Sequence, residues 1–273
     1  MQAFPAWSPP GGTLGQIIAE TRSRVDELKR RRRELERAVA ECGHPPALTA
    51  ALRRWDVAVI AELKRRSPSG GEINSTLAPG VQAAAYVSGG AAAISVLTEP
   101  LHFGGSPDDL TAAREQAAVP VLRKDFHLDA VQLLEARVLG ASAVLLIARA
   151  LPPPTLRDLA AEAHTLGLEA LVEVRSETEL ELALSTGAPL VGVNSRDLES
   201  LATDLGVSER LLPLIPQDRI GVAESGVRSR TDVERAASCG ADAVLVGSLL
   251  SAAPDAAAAV RALTCVTRTP RAA

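Results

Sequence analysis

The sequence predicts a (β/α)8 TIM barrel with an N-terminal helical extension, and three observations lead there. From Val57 onward a unit recurs: a short apolar strand, polar or glycine residues at its end, then an amphipathic stretch. Unit starts fall ~20–35 residues apart, room for a strand and a crossover helix. Eight such units fit in the chain, the number that closes this barrel. The composition agrees, since 47% hydrophobic residues with only 2% aromatic suit strands buried between helices better than a sandwich with an aromatic core. An open doubly wound sheet is the structural alternative. It would usually carry a GxGxxG turn after its first strand, where this chain has Ser67-Pro-Ser-Gly-Gly71.

Residues 13–41 read as a helix, with Thr13 at its N-cap and Leu14, Ile17, Ile18, Val25, Leu28, Leu35 and Val39 at helical spacing. Its run Lys29-Arg-Arg-Arg-Arg33 invites a nucleic-acid reading. Glu27, Glu34 and Glu36 surround the run and allow pairing one turn away, so a solvated face is the better reading. Gly43-His-Pro-Pro46 ends the helix and 47–54 forms a short second one. The strands are then 57–64, 92–98, 120–126, 143–149, 169–174, 190–195, 220–225 and 243–248. The helices between them fall near 79–88, 107–117, 129–139, 154–166, 176–186, 207–213, 230–239 and 254–263. Ser106-Pro107 and Ser176 are clear helix starts. The expected layout is an extension over 1–54, a barrel over 55–264 and a tail over 265–273.

At 273 residues there is ample length for a real core, and a net charge of −4 gives no reason to expect a polyanionic partner. Met1 to Thr13 lacks a basic or apolar run, and Ala141 to Ala150 is far too short to cross a bilayer. Neither a membrane nor nucleic acid is expected as a partner. Cys42, Cys239 and Cys265 are an odd set without metal spacing, which points to reduced thiols in a cytoplasmic protein. Lysine is rare: of 29 basic residues only Lys29, Lys64 and Lys124 are lysine. Two of these lie at strand ends, and lysine, unlike arginine, loses its proton readily when partly buried.

Strand parity sharpens this. Side chains of a barrel alternate between lumen and helix layer, and active sites form at the C-terminal strand ends. Glu62 and Lys64 share one face of the first strand, and Lys124 shares a face with Leu122 and Phe126 while Arg123 and Asp125 face the other way. With Glu173, Asn194 and Glu224, the top of the barrel collects three carboxylates, two ammonium groups and an amide, a general acid–base set. Ser95 on strand two and Arg196 at the end of strand six lie beside it. Any one pair could be a structural ion pair; six groups of matching parity are harder to explain so.

The ends of strands seven and eight, Ala223-Glu-Ser-Gly226 and Val246-Gly-Ser248, place small residues where barrels often bind phosphate through backbone N–H groups. Ser225, Gly226, Gly247 and Ser248 are thus candidate phosphate ligands. The four histidines are scattered, so no metal cluster is evident, and no nicotinamide or flavin fingerprint is present. Catalysis without a cofactor, by protonation and positioning, is expected.

The motifs themselves resemble the indole-3-glycerol phosphate synthase family. They are Ile60-Ala-Glu-Leu-Lys-Arg-Arg-Ser-Pro-Ser69, Ala93-Ile-Ser-Val-Leu-Thr-Glu99, Phe103-Gly-Gly-Ser106, Leu122-Arg-Lys-Asp-Phe126, Gln132-Leu-Leu-Glu-Ala-Arg137, Leu171-Val-Glu-Val174, Gly192-Val-Asn-Ser-Arg-Asp-Leu198 and Ala223-Glu-Ser-Gly226. The similarity runs in order from about residue 47 to 250. It implies conversion of 1-(2-carboxyphenylamino)-1-deoxyribulose 5-phosphate to indole-3-glycerol phosphate, and a monomer. It further implies Lys124 as general acid, Lys64 as carboxylate anchor, Glu173 in the dehydration and Asn194 on the intermediate's hydroxyls. Glu62, Ser95 and Glu224 would line and polarise the site, and Pro68, Phe126 and Leu198 would flank the aromatic ring with Arg196 nearby.

Departures from the family pattern are modest. Gly70-Gly71 replaces a lysine in the first loop, for which Arg66 is a candidate substitute charge, and the two glycines suggest a hinged lid. His127-Leu128 replaces an apolar pair, and Gly247-Ser248 shortens a turn. Two other readings stay open at this point: a phosphoribosyl-compound isomerase on a related barrel, and a non-catalytic scaffold.

Overall fold

The computed structural model describes residues 7–271. The ends of the expected extension and tail, 1–6 and 272–273, lie outside the described residues. Eight parallel strands form a closed barrel: β1 Ala58–Leu63, β2 Ala93–Leu97, β3 Val121–Lys124, β4 Ala143–Ile147, β5 Glu169–Val174, β6 Leu190–Asn194, β7 Ile220–Glu224 and β8 Ala243–Val246. Each pairs with its neighbours in the chain, and β1 closes the ring by pairing Ile60 with Leu245 of β8. Every predicted strand is present. Most end one or two residues early, because lumen-facing side chains carry the pattern past the last ladder hydrogen bond.

The register fixes the lumen. Ile60, Leu122, Leu145, Leu171, Val222 and Leu245 share one parity and are buried, which fills the barrel. The opposite parity packs under the outer helices, whose starts are chemically marked. Ser106 and Asp129 form capping boxes with Asp109 and Gln132, and Ser176 caps Glu177–Ser185 through the Glu179 amide.

The helix expected over 13–41 is instead two, α1 Gly12–Arg30 and α2 Arg32–Glu41, broken at Arg31 (φ −98°, ψ 5°). The break lets Val25 of α1 and Leu35 of α2 both reach Val131 and Leu134, a small second core. The basic run is paired around it: Arg31 with Glu34 at 2.7 Å, Arg32 with Glu36 at 2.8 Å and Lys29 with Asp129 at 3.0 Å. Two short helices, Pro100–Phe103 and Ser248–Ser251, and a two-residue ribbon pairing Arg66–Ser67 with Gly71–Glu72 were not expected.

The C-terminal segment crosses the opposite end of the barrel. Val57 N–H donates to Val266 at 2.8 Å, and Arg268 and Arg271 both engage the buried carboxylate of Asp242. Among the described residues no helix is long and apolar enough to cross a membrane.

Candidate active site

The register brings the predicted polar groups to one level. Glu62 stands beside Ser95, Lys124 beside Leu97, Glu173 beside Gly192 and Asn194 beside Glu224. They form a chain of contacts across the barrel mouth. The Lys64 ammonium lies 3.1 Å from Glu62 Oε1, and Lys124 Nζ lies 3.3 Å from Glu62 Oε2 and 2.8 Å from Glu224 Oε2. Glu173 continues it, close enough to Glu224 and Asn194 that both act on its carboxyl.

Two glycines make this packing possible. A methyl group on Gly192 would sit 2.0 Å from Glu224 Oε1, and one on Gly247 would sit 2.2 Å from Glu62 Oε1. Both carboxylates therefore lie in space that any other residue on β6 or after β8 would fill. Glu224 Oε1 and Ser95 Oγ are buried without a hydrogen-bond partner among the described residues, the kind of unmet polarity that buried structural groups rarely retain.

Electrostatics distribute the protons. Burial opposes charge on Lys124, but Glu224, Glu62 and Glu173 outweigh it and hold the ammonium well above the ordinary lysine value. Burial pushes the Glu62 carboxyl up, yet Lys124 and Lys64 bring it below its ordinary value. Glu173 goes the other way: burial and then the Glu224 charge push it up to about 8. At neutral pH it keeps a proton, so two carboxylates face two ammonium groups and the buried site is balanced.

Above this floor opens a cleft of about 690 Å³. Its polar side carries Glu62, Lys64, Lys124, Glu173, Asn194, Arg196 and Ser225, and its apolar side includes Pro68, Phe103, Phe126 and Leu198. The rings of Phe103 and Phe126 lie 6.3 Å apart at 35°. Ser95 and Glu224 are fully buried and stand behind the lining. Ser225 (φ 65°) and Gly226 (φ 91°) are both left-handed. For serine that is a strained conformation of the kind that gathers at functional sites. Gly226 lines an adjoining cavity with Ser225, and Gly247 precedes the uncapped helix starting at Ser248.

Behind β3 the opposite parity holds, as expected, Arg123 and Asp125. Asp125 binds Arg123 at 3.2 Å and Arg24 of α1 at 3.1 Å. Burial works against the charge, but the two guanidiniums keep this carboxyl well below the usual range. His127 is buried with Nδ1 donating to Leu145 O at 2.8 Å, and burial lowers it to about 4.

Arg66 does not supply a charge to the cleft. It turns onto the carbonyls of Pro100 and Leu101, which anchors the first loop to the second. The first loop itself is a tight turn, with Gly70 N–H donating to Ser67 Oγ at 3.1 Å and Gly71 left-handed. Sequence reasoning missed Thr13, Leu14 and Ile17 of α1, Phe103, Leu145, Ile147 and Leu201, all in the lining. Phe103 stood next to two glycines in a recognised motif. The α1 residues gave no signal, because an apolar stripe reads the same over a core and over a ligand.

The model of one protein family, described as indole-3-glycerol phosphate synthase, matches residues 14–263. The chain is 45% identical over 254 residues to indole-3-glycerol phosphate synthase 2 of Streptomyces coelicolor, covering 92% of this chain and 98% of that one. It is 46% identical over 256 residues to indole-3-glycerol phosphate synthase of Opitutus terrae, covering 90% and 96%. Among solved structures, 3-hexulose-6-phosphate synthase of Salmonella typhimurium superposes with a TM-score of 0.60 over 76% of this chain and 96% of that one. At 17% identity that likeness concerns the fold alone.

Proposed function

Because the chain belongs to the indole-3-glycerol phosphate synthase family, we propose that the polar chain from Lys64 to Asn194 carries out that family's reaction. The protein is a carboxy-lyase of tryptophan biosynthesis. It closes the ring of 1-(2-carboxyphenylamino)-1-deoxyribulose 5-phosphate and releases CO2 and water to give indole-3-glycerol phosphate.

In this reading the ring carbon bearing the carboxylate attacks the ribulose carbonyl, and Lys124 gives its proton to the carbonyl oxygen. An ammonium held so firmly is a weak acid towards a ketone. It is well matched to the alkoxide that the ketone becomes as the new bond forms, so the proton moves with bond formation rather than before it. Glu224 and Glu62 orient Nζ from two sides. Lys64, on the far side of Glu62 and facing the cleft, anchors the aromatic carboxylate until CO2 leaves. The new hydroxyl then departs as water. Glu173, protonated and with Asn194 beside it, gives its proton to the departing hydroxyl and then, as carboxylate, takes the proton that the ring-closed intermediate loses, which returns it to its starting state.

Phe103, Phe126, Pro68 and Leu198 hold the aromatic ring, with Arg196 nearby, in keeping with the apolar character of small-molecule sites. Ser95 polarises the floor. Ser225, Gly226, Gly247 and Ser248 take the phosphate at the ends of β7 and β8. A cytoplasmic monomer completes the reading. It is supported by three unpaired cysteines and by exposed Trp55, Val81, Leu101 and Leu214 lying on separate elements.

The observation that carries the assignment of roles is Lys124 Nζ held between two buried carboxylates under an apolar wall. The test is to supply the ribulose phosphate substrate and, separately, phosphoribosylanthranilate, and to follow the indole product. Only the first should yield it, and Lys124→Ala should abolish it while the fold persists. Near-normal turnover by that variant would sink the assignment.

A further inference from the structure

We propose that Glu199 is a positioning residue for substrate binding, acting through the N-terminal segment that it clasps. The inference rests on the function proposed above. Glu199 lies in the loop after β6, outside the acid–base chain, and both ends of its side chain are engaged. Oε1 accepts from Arg149 Nε at 2.8 Å and Oε2 accepts from Gly11 N–H at 2.9 Å. Its backbone carbonyl accepts from Thr13 N–H at 3.2 Å. Arg149 extends the clasp: Nη1 donates to Ser8 O at 2.7 Å and its carbonyl accepts from Trp7 Nε1 at 3.3 Å.

The contact is close enough to dictate sequence. Gly12 is left-handed (φ +55°), and a methyl group there would lie 2.4 Å from the Glu199 carbonyl oxygen. No side chain fits between segment and loop. The segment then runs directly into Thr13, Leu14 and Ile17, which line the catalytic cleft. Leu14 is fully buried, so the clasp sets where a rigid apolar side chain stands against the bound ring.

Residues 7–11 precede α1, so most of their support is this clasp. Without it the segment loosens, and substrate binding has to order it again, a cost that falls on the ground state and the transition state alike. Such a loss raises KM and leaves kcat nearly unchanged. Leu14 should carry the effect, which makes the two residues energetically coupled.

The experiment measures kcat, KM and Tm for Glu199→Ala, Leu14→Ala, their double variant, Glu199→Gln and Gly12→Ala in the full chain. Glu199→Ala should raise KM about fivefold to twentyfold with kcat within about threefold, since it removes uniform binding. Gly12→Ala, which displaces the segment while leaving Glu199 in place, should do the same. Glu199→Gln retains one oxygen acceptor but puts an amide NH2 where the other stood, facing an N–H donor, so its KM should lie between those of wild type and Glu199→Ala. The double variant should lie within about twofold of the worse single variant, the signature of a shared route. A KM for Glu199→Ala within twofold of wild type, or single effects that multiply, overturns the inference. So does a fall in Tm without a change in KM, which would mark a merely structural clasp. Wild-type protein without turnover would instead overturn the functional reading beneath it.

Discussion

Replacing Lys124 with methionine should expose the electrostatic design of the site as well as its chemistry. Lys124→Met keeps length and apolar bulk but removes the ammonium from between Glu62 and Glu224. Glu62 retains Lys64 at 3.1 Å, whereas Glu224, 0% exposed, loses its ion pair. Breaking a buried pair on one side costs about 3–5 kcal/mol, because the remaining charge stays desolvated. In a chain of this size each kcal/mol lowers Tm by roughly 2–4 °C, so a drop of roughly 6–20 °C is expected at pH 8. The sign with pH follows from the charge left behind: burial without a cation disfavours the ionised form of a carboxyl, so the folded variant holds a proton that the unfolded chain releases. The penalty is then small near pH 5 and grows as pH rises to 8. Wild type lacks that slope from Lys124, which is charged in both states over this range. Adding Glu224→Gln should recover at least half of the lost Tm and flatten the slope, yet leave turnover about 10²–10⁴-fold below wild type, the usual worth of a general acid. Thermal melts at pH 5, 6.5 and 8 alongside a product assay test this. A single variant that melts within 3 °C of wild type at pH 8, or a double variant that recovers nothing, refutes the reasoning.

Three further outcomes are expected. Gly247→Ala drives a methyl group into the Glu62 carboxylate and should cut kcat/KM about 10²-fold with the fold retained; an unaltered value would mean that the carboxylate moves freely. Glu173 has its pKa raised to about 8, so it should lower wild-type stability progressively from its ordinary value up to about pH 8, and melts of Glu173→Gln over that range should lack this decline. His127 has its pKa lowered to about 4. It therefore contributes stability above about pH 6.5 that is lost as pH falls towards 4, by about 3 kcal/mol at most. His127→Gln, which still donates to Leu145 O, should flatten that acid limb in denaturant titrations.

Much of the molecule was legible in its sequence because parity is. A barrel strand has only two faces, so Glu62, Lys124, Glu173, Asn194 and Glu224 had to converge once the eight strands were recognised. Strand ends were less legible: Lys64 and Phe126 belong to the site but lie past the ladders of β1 and β3. What stayed hidden depended on tertiary contact. Nothing in residues 13–41 distinguishes Leu14, which lines the cleft, from Val25, which packs on Val131 and Leu134. Gly247 was read as a phosphate cradle from its neighbours alone. That it also makes room for Glu62 required the pairing of β1 with β8. The turn of Arg66 away from the cleft was likewise invisible, since it is set by carbonyls of the next loop.

The two glycines beneath the carboxylates bear on how such a site can drift. Gly192 and Glu224, and Gly247 and Glu62, share volume across neighbouring strands. Each pair can change only jointly. A larger residue at 247 becomes sterically acceptable if Glu62 shortens to aspartate, but that exchange withdraws the acid by one methylene from the two lysines it joins. An alternative sequence that fits the space loses the proton network, and one that keeps the network cannot use the space. Variation at these four positions should therefore be sparse for a geometric reason, and a redesigned barrel that borrows the two acids has to borrow the two glycines with them.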